Sequence, residues 1–220
     1  MRRIRYSVAM SLDGYIAGPN GEFDWIKTDP DFDFSAVFKQ FDTIVAGRGT
    51  FEPMAAAGRT SMPGMKTIVV SRTLRSEDHP DVVIVPGIEA LTDLKASPGK
   101  DIWLFGGGKL FRSVAEAGMV DTVEVSVIPV LLGGGVHVAP NLSRWIHLSS
   151  FNHKVYSSGA VLLEYAIRGA IRTDSLQHLR IVFRTVGHSS IGNGPDPRPI
   201  CPRSTSYPTK RKSIFGGVRN

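Results

Sequence analysis

The stretch IWLFGGGKLF, residues 102–111, places three consecutive glycines between the pattern of a buried strand and that of an amphipathic helix. In the helix, Leu110, Phe111 and Val114 recur at helical spacing and share one apolar face. Glycine has no Cβ, so the backbone of such a turn can approach a pyrophosphate closely, and the helix start offers free N–H groups and a positive dipole end. The stretch therefore predicts a strand, a phosphate-binding turn and a helix, with an ordinary tight turn as the alternative.

On both sides of this stretch, apolar and β-branched runs alternate with helical patterns, which is typical of an α/β sandwich. Before it we expect strands at 4–11, 42–47, 66–71 and 81–85, and helices at 34–41, from Arg48 and at 88–94. After it we expect strands at 122–130, 145–155 and 159–167, the last two forming a hairpin around 157–159. A Rossmann domain carries its GxGxxG fingerprint after the first strand, whereas here GGG follows the fifth predicted strand, which argues against that fold.

Two further segments have the features of a phosphate site. IVAGRGTFE again joins a strand to a helix start through glycine, and Arg48 and Thr50 can donate hydrogen bonds to phosphate oxygens. In TIVVSRTL, Ser71 and Arg72 leave a strand together, and an arginine beside a hydroxyl suits a ribose 2′-phosphate. Taken alone, a capped helix and a solvated surface arginine are equally good interpretations of these two segments.

Composition divides the chain into a body and a tail. Of the 26 basic and 20 acidic residues, 16 and 18 lie in residues 1–167, so the net positive charge belongs to the last quarter of the chain. Residues 169–220 are rich in Pro, Ser, Gly and Arg and contain one short apolar run, LRIVF, which is too little to offset the entropy of ordering. We predict one domain over 1–168 and a disordered, basic tail over 169–220.

Cysteine, histidine and hydropathy patterns narrow the class further. Cys201 is the only cysteine, and the six histidines show no i, i+3 or i, i+4 pair, so neither an intramolecular disulfide nor a structural metal is predicted. No stretch approaches the ~20 apolar residues of a membrane span, and Asp13 and Gly14 interrupt the N-terminal apolar run before a secretory core is complete. A cytoplasmic protein without a membrane partner is expected.

Five motifs in this order resemble one superfamily: SLDGYIAGPNGEFDW, VAGRGTFE, IVVSR, LFGGGKLF and VSVIPVLLGGG. Together they are similar to the dihydrofolate reductase superfamily, in particular the bacterial branch related to the reductase half of the riboflavin-pathway deaminase-reductase. The resemblance covers about residues 3–167. It implies a three-layer α/β/α sandwich with a central mixed, mostly parallel sheet, and a homodimer.

The resemblance also implies that NADPH lies across the strand ends, under a mobile loop at 18–25. Gly106 and Gly107 match the two glycines that this family joins by a cis peptide bond. The positions that match the cofactor site are Ile16, Gly47, Arg48, Gly49, Thr50, Ser71, Arg72, Gly106, Gly107, Gly108, Lys109 and Leu110.

The acid that organises a proton for hydride transfer has no exact match in this sequence, because Pro30 stands where the best-known member has its acid. Asp29 and Asp31 flank it, and we favour Asp29, although charge stabilisation of a helix start would explain either residue. Asp13 in the LDG turn is a second candidate, and turn formation alone could explain it.

Trp25, Asp31 and Phe51 match substrate-facing positions. Ser7 aligns with a lysine of the riboflavin-pathway enzymes, and only Lys27 is available where those enzymes carry phosphate-binding arginines, so a phosphoribosyl substrate is not favoured.

The leading hypothesis is an NADPH-dependent reductase of a pteridine-, aminopyrimidine- or related heterocyclic small molecule. A second is a catalytically inactive NADP-binding protein, an alternative that stays open because Pro30 stands at the position of the acid. A third is nucleic-acid binding through the basic tail, but the tail has no aromatic residues interleaved among its charges and matches no recognised nucleic-acid fold.

Overall fold

The computed structural model describes residues 1–167, so the predictions for the basic tail lie outside the described residues. The described part contains ten strands, four α-helices and a 3₁₀ turn at Ser76–Asp78. The strands are β1 (Ile4–Ser11), β2 (Tyr15–Ala17), β3 (Phe41–Gly47), β4 (Lys66–Val70), β5 (Val83–Val85), β6 (Asp101–Gly106), β7 (Thr122–Ile128), β8 (Val136–His137), β9 (Leu148–Val155) and β10 (Val161–Ile167). The helices are α1 (Phe34–Phe38), α2 (Arg48–Ala56), α3 (Ala90–Ala96) and α4 (Gly108–Glu116).

Eight strands form the central sheet in the order β5-β4-β3-β6-β1-β7-β10-β9. The pairs from β5 to β7 are parallel, and β10 pairs antiparallel with both β7 and β9. The predicted mixed, mostly parallel sheet is confirmed, and so is the hairpin between β9 and β10. Strands β2 and β8 form a separate two-stranded sheet.

Helices cover both faces of the sheet because alternate strand residues point to opposite sides. On one face Ile4, Tyr6 and Leu104 pack with Leu91 of α3 and Phe111 of α4 in the largest buried cluster. The other face holds two smaller clusters, one under α1 and one against α2. This arrangement confirms the three-layer α/β/α sandwich.

Helix α1 is shorter than predicted. The apolar spacing extended it to Phe41, but Phe41 instead begins β3 and is buried beside Trp103, with the two rings 5.3 Å apart. Asp33 caps the start of the helix by accepting a hydrogen bond from the Ala36 N–H at 2.9 Å. Five helical residues remain, and none of them is fully buried.

The topology places the chemically interesting turns side by side. Strands β4, β3, β6 and β1 are neighbours and parallel, so their carboxyl ends meet at one edge of the sheet. β4 is followed by Ser71, β3 ends in Gly47 and β6 is followed by Gly107, so a ligand at such an edge can reach all three positions. Within residues 1–167, none of the helices has the length and apolar character needed to cross a membrane.

Candidate active site

Two helix N-termini converge at the carboxyl edge of the sheet. Gly47 precedes α2 and Gly107 precedes α4, and neither helix has a side-chain cap. A Cβ placed on Gly47 would lie 3.6 Å from the Cβ of Leu110, so the two turns are in close contact. Since the first N–H groups of a helix have no intrahelical partner, the pair of helices presents two sets of free donors and two positive dipole ends.

The glycine turn itself leaves open space at its centre. The peptide bond between Gly106 and Gly107 is cis, as the resemblance predicted. A Cβ on Gly107 would meet only the Thr50 hydroxyl oxygen within 4 Å, at 3.4 Å. The first intrahelical bond of α4 runs from Phe111 N–H to the Gly107 carbonyl at 3.0 Å, which leaves the three preceding N–H groups of the turn available to an anion.

Glycine is needed at position 108 for a different reason, which is packing. A Cβ on this residue would overlap the carbonyl oxygen of His137 and lie 2.7 Å from Cδ of Pro140. Gly108 is therefore required for packing of α4 against the segment that follows β8, whereas the side of Gly107 is free. The three glycines of the motif thus serve at least two functions, which the sequence alone did not separate.

The remaining predicted cofactor residues lie along the same edge. Arg72 is exposed, and within residues 1–167 it forms no ion pair, while Arg48 is held 3.4 Å from Glu52 on α2. The Ser71 hydroxyl accepts the N–H groups of Thr73 and Leu74 at 3.2 and 3.1 Å, so it also shapes its own turn. Gly49 precedes Thr50 in the first turn of α2, Lys109 is exposed on α4, and half-buried Ile16 lies on β2.

A polar cavity of about 240 Å³ lies under α1, on the face of the sheet that carries Ser7 and Ser126. Tyr6, the neighbour of Ser7, pairs with Leu104, which is two residues before Gly106. Ser7 is one residue nearer this edge than Tyr6, so with a rise of about 3.3 Å per residue the cavity floor begins roughly 3 Å along the strands from the level of Gly106. The cavity therefore adjoins the carboxyl edge of the sheet, where the glycine turns at Gly47 and Gly107 lie.

Asp31 lines this cavity, and Asp29 does not. Asp29 is buried and accepts the Ser158 N–H at 2.9 Å and the Asp31 N–H at 2.8 Å. Hydrogen bonds from the Ser158 hydroxyl and backbone keep the pKa of Asp29 below its ordinary value. Asp29 thus fixes the cavity wall to the β9–β10 hairpin, and the preference for Asp29 as the proton donor is not supported.

Asp13 also has a structural role. Its carboxylate accepts the Ser11 hydroxyl at 2.6 Å and the N–H groups of Leu132 and Gly133 at 3.1 and 2.7 Å. These hydrogen bonds, that of Ser11 first, lower its pKa to about 2. A carboxylate so occupied stays ionised at neutral pH, so the alternative assignment of Asp13 as proton donor is also not supported.

We predict that Asp13→Asn destabilises the domain at pH 7 and that the difference from the parent shrinks as pH falls from 4 to 2. The folded-state pKa lies below that of the unfolded chain, so the stabilisation by Asp13 is present above pH 4 and is lost through pH 2. Urea unfolding at several pH values measures the difference, with Asp24→Asn in the exposed loop as the matched control. A difference that does not depend on pH would contradict the assignment.

Two predicted substrate residues differ in their environments. Phe51 is fully buried with Ala46 and Val69, and its ring meets that of His79 edge-on at 5.0 Å. Phe51 was predicted to contact substrate, but its apolar ring fills the core under α2 and has no exposed surface in this structure. Trp25 is half-buried in the 18–25 loop, and its indole N–H donates to the Glu22 carbonyl at 3.1 Å.

The sequence analysis missed the charged groups on the cavity floor. Arg5 lies on β1 and Glu124 on β7, and Nε and Nη2 of Arg5 donate to the two carboxylate oxygens at 2.6 and 2.8 Å. Glu164 on β10 lines the same cavity. The sequence contained a sign of these groups, because each is a charged residue at an inward position of an apolar strand, where a solvated side chain is not expected.

Residues 1–167 contain no cluster of His, Cys, Asp or Glu suited to a metal ion.

The fold, with two glycine turns at the carboxyl edge of its sheet, is that of the dihydrofolate reductase-like superfamily. The RibD C-terminal domain model matches residues 2–162, and the chain belongs to that family. The chain is 36% identical to the uncharacterized protein YyaP of Bacillus subtilis, over 76% of this chain and 96% of that protein. It is 32% identical to dihydrofolate reductase type 1 of Escherichia coli, over 61% of this chain and 80% of the relative.

Solved structures agree with this assignment. A putative riboflavin biosynthesis protein from Shewanella sp. PV-4 is similar with a TM-score of 0.66 and 25% identity, over 76% of this chain and 99% of that chain. A dihydrofolate reductase from Enterococcus faecalis, solved in complex with NADP(H) and RAB-propyl, has a TM-score of 0.58 and 19% identity, over 76% of this chain and 96% of that chain. At 19% identity, the similarity to the Enterococcus faecalis structure supports the fold alone.

Proposed function

We propose that the protein is an NADPH-dependent reductase of a pteridine-, aminopyrimidine- or related heterocyclic small molecule. The observation that carries the proposal is the open space over Gly107, between two uncapped helix starts and beside a polar cavity. A pyrophosphate is the cofactor group that fits free N–H donors in a turn without a Cβ. The name of the dihydrofolate reductase relatives, which denotes reduction of a heterocyclic small molecule, is in line with the proposed reaction.

The order of the strands supports an extended dinucleotide. Arg72 would hold the ribose 2′-phosphate at the end of β4, and the starts of α2 and α4 would hold the pyrophosphate. The nicotinamide end would then lie near β1 and Ile16, next to the cavity. When bound, NADPH supplies the hydride, while the protein orients both molecules and excludes water.

Asp31 is now our candidate for the acid that binds the substrate and organises a proton. It is exposed at the cavity, while its neighbour Asp29 is engaged in the wall. A carboxylate in this position can hold a substrate N–H group or relay a proton through water to the reduced heteroatom.

Stopped-flow oxidation of NADPH in the presence of pterins and aminopyrimidines tests the proposed reaction. Oxidation that requires both the enzyme and one heterocycle, with reduced heterocycle formed in equal amount, is expected. NADPH binding without oxidation by any member of the panel would instead favour a protein that binds NADP and has no catalytic activity. A cytoplasmic location stays a prediction from the sequence.

We predict that NADPH binds more tightly than NADH and that Arg72→Ala reduces the difference between the two affinities. A charge-assisted contact to the 2′-phosphate is worth about 1.5–3 kcal/mol, or roughly ten- to a hundredfold in affinity. Calorimetric titration of both cofactors measures the effect, and Arg75→Ala, an exposed arginine three residues away, is the control. Equal affinities of the parent protein for the two cofactors would refute the role of Arg72.

We also predict a homodimer. Strand β9 is an edge strand, and Phe151 and Val155 on it are exposed by 36% and 67%. Trp145, just before the strand, is 90% exposed. An edge of this kind is protected in a dimer. Light scattering at micromolar concentration should give twice the chain mass, and a monomer mass would contradict the prediction.

A further inference from the structure

Acidic side chains from two strands face each other on the cavity floor. The register of the sheet places Ser7, Glu124, Glu164 and Asn152 in one row across β1, β7, β10 and β9. Glu124 and Glu164 are directly opposite on antiparallel strands, and both line the cavity. Like charges in directly opposite positions destabilise a sheet unless something else neutralises them.

Of these two carboxylates, Glu124 alone is paired with a cation within residues 1–167. Arg5 binds both of its carboxylate oxygens, and the two side chains are 8% and 6% exposed. The Thr122 hydroxyl adds a third hydrogen bond to Glu124 at 2.9 Å. The Nη1 group of Arg5 donates to Gln40 at 2.6 Å and lies 3.3 Å from Asp101. Within the described residues, no hydrogen bond joins Arg5 to Glu164.

Glu164 has one neutral partner, the side-chain amide of Asn152. Within residues 1–167 no lysine, arginine or histidine pairs with it. Lys154 shares the cavity, but its ammonium lies 4.4 Å over the Tyr156 ring and 3.4 Å from the Asp31 carbonyl oxygen. A carboxylate can accept about four hydrogen bonds, so Glu164 has acceptor capacity left on the cavity side.

We propose that Glu164 determines substrate specificity by accepting two adjacent N–H donors of an amino-substituted heterocycle. This inference rests on the proposed function, because it concerns the substrate cavity of that reaction. A ring N–H beside an exocyclic amino group matches the two oxygens of a carboxylate, and a protonated ring also supplies the missing positive charge. Ser7 and Ser126 contribute hydroxyl groups to the same wall. A phosphate or carboxylate would be repelled at this position.

Because Glu164 faces Glu124, we expect its charge to lower the stability of the sheet. A carboxylate with a purely structural role would raise it. Glu164→Gln removes one of two facing charges and keeps the shape and the partner Asn152. The melting temperature of the variant should therefore be equal to or higher than that of the parent, while its affinity for the amino-heterocycle falls. A structural carboxylate would lose stability on the same substitution.

The probe is 2,4-diaminopyrimidine, with uracil as the matched ring that lacks amino groups. We expect calorimetric titration of the full chain to show binding of the diamine and at least a tenfold loss of affinity in Glu164→Gln, the loss of one charge-assisted pair. NADPH affinity should not change in this variant. Glu77→Gln, an exposed carboxylate outside the cavity, is the control and should bind the diamine as the parent does.

Equal affinity of the parent and Glu164→Gln for the diamine would overturn the proposal, as would failure of the parent to bind it or a preference for uracil. A loss seen only in Asp31→Asn would likewise overturn it. Failure of the proposed reductase is a separate result, because it would appear as absent NADPH binding or oxidation while the effect of Glu164 on diamine binding persists.

Discussion

Replacement of Gly107 with alanine is expected to lower NADPH affinity by about a hundredfold or more and to leave the domain folded. The added methyl group meets only the Thr50 hydroxyl within 4 Å, so the protein itself has room for it. The same methyl group would occupy the space between the two helix starts where a pyrophosphate would bind. Loss of two charge-assisted contacts, about 3 kcal/mol in total, corresponds to that factor. Calorimetric titration measures the affinity, and circular dichroism checks the fold.

The matched control is Gly108→Ala, one residue further along. A methyl group there would overlap the His137 carbonyl oxygen, which belongs to the backbone and cannot move aside cheaply. This variant should lose stability, seen as a lower melting temperature, whether or not cofactor is present. Parental NADPH affinity in Gly107→Ala would mean that the glycine motif is only a turn.

Removal of the buried cation on the cavity floor should have the largest effect on stability. Arg5→Met leaves Glu124 buried with the Thr122 hydroxyl but without its charge partner. Breaking a buried pair by removing one member costs about 3–5 kcal/mol, because the remaining charge is uncompensated. Urea unfolding gives the free energy of unfolding directly.

Arg3→Met is the control for this prediction because Arg3 lies on the same end of the chain and also pairs with an acid. Its side chain is 55% exposed and binds Asp101 at 2.5 Å, so its removal should cost at most about 1 kcal/mol. The double variant Arg5→Met/Glu124→Leu should recover most of the lost stability, since both charges are then removed. Similar losses for Arg3→Met and Arg5→Met would show that burial does not govern the strength of these pairs.

The long elements of the fold could be predicted because their patterns are strong. Strands β1, β6 and β10 are runs of seven or so apolar or alternating residues, and α4 shows a clear helical face. Strands β2 and β8 have three and two residues and no periodicity, so no local pattern indicates them. Helix α1 was predicted too long because the spacing of Phe41 fits a helix, while its burial beside Trp103 depends on tertiary structure.

The glycine turns have a stronger local sequence signal than the polar cavity for a physical reason. Phosphate binding uses backbone groups in glycine turns, which leave a local signature at Gly47 and Gly107. The cavity is built from side chains that are far apart in the chain and meet only through strand register, as Ser7, Glu124 and Glu164 do. Asp29 and Asp31 are equally close to Pro30 in the sequence, which does not show that the fold directs the Asp29 carboxylate to the hairpin.

The bond between Asp29 and the Ser158 N–H has a consequence for how the cavity can open. The roof of the cavity is a loop with a five-residue helix, and its far wall is the tip of the β9–β10 hairpin. One carboxylate joins the two, so neither can swing outward alone without leaving a buried charge without its donors. The two segments that this bond joins are almost 130 residues apart in the chain. Outward movement of either segment alone would cost about 1–3 kcal/mol, the penalty for leaving a buried polar group without its hydrogen bond.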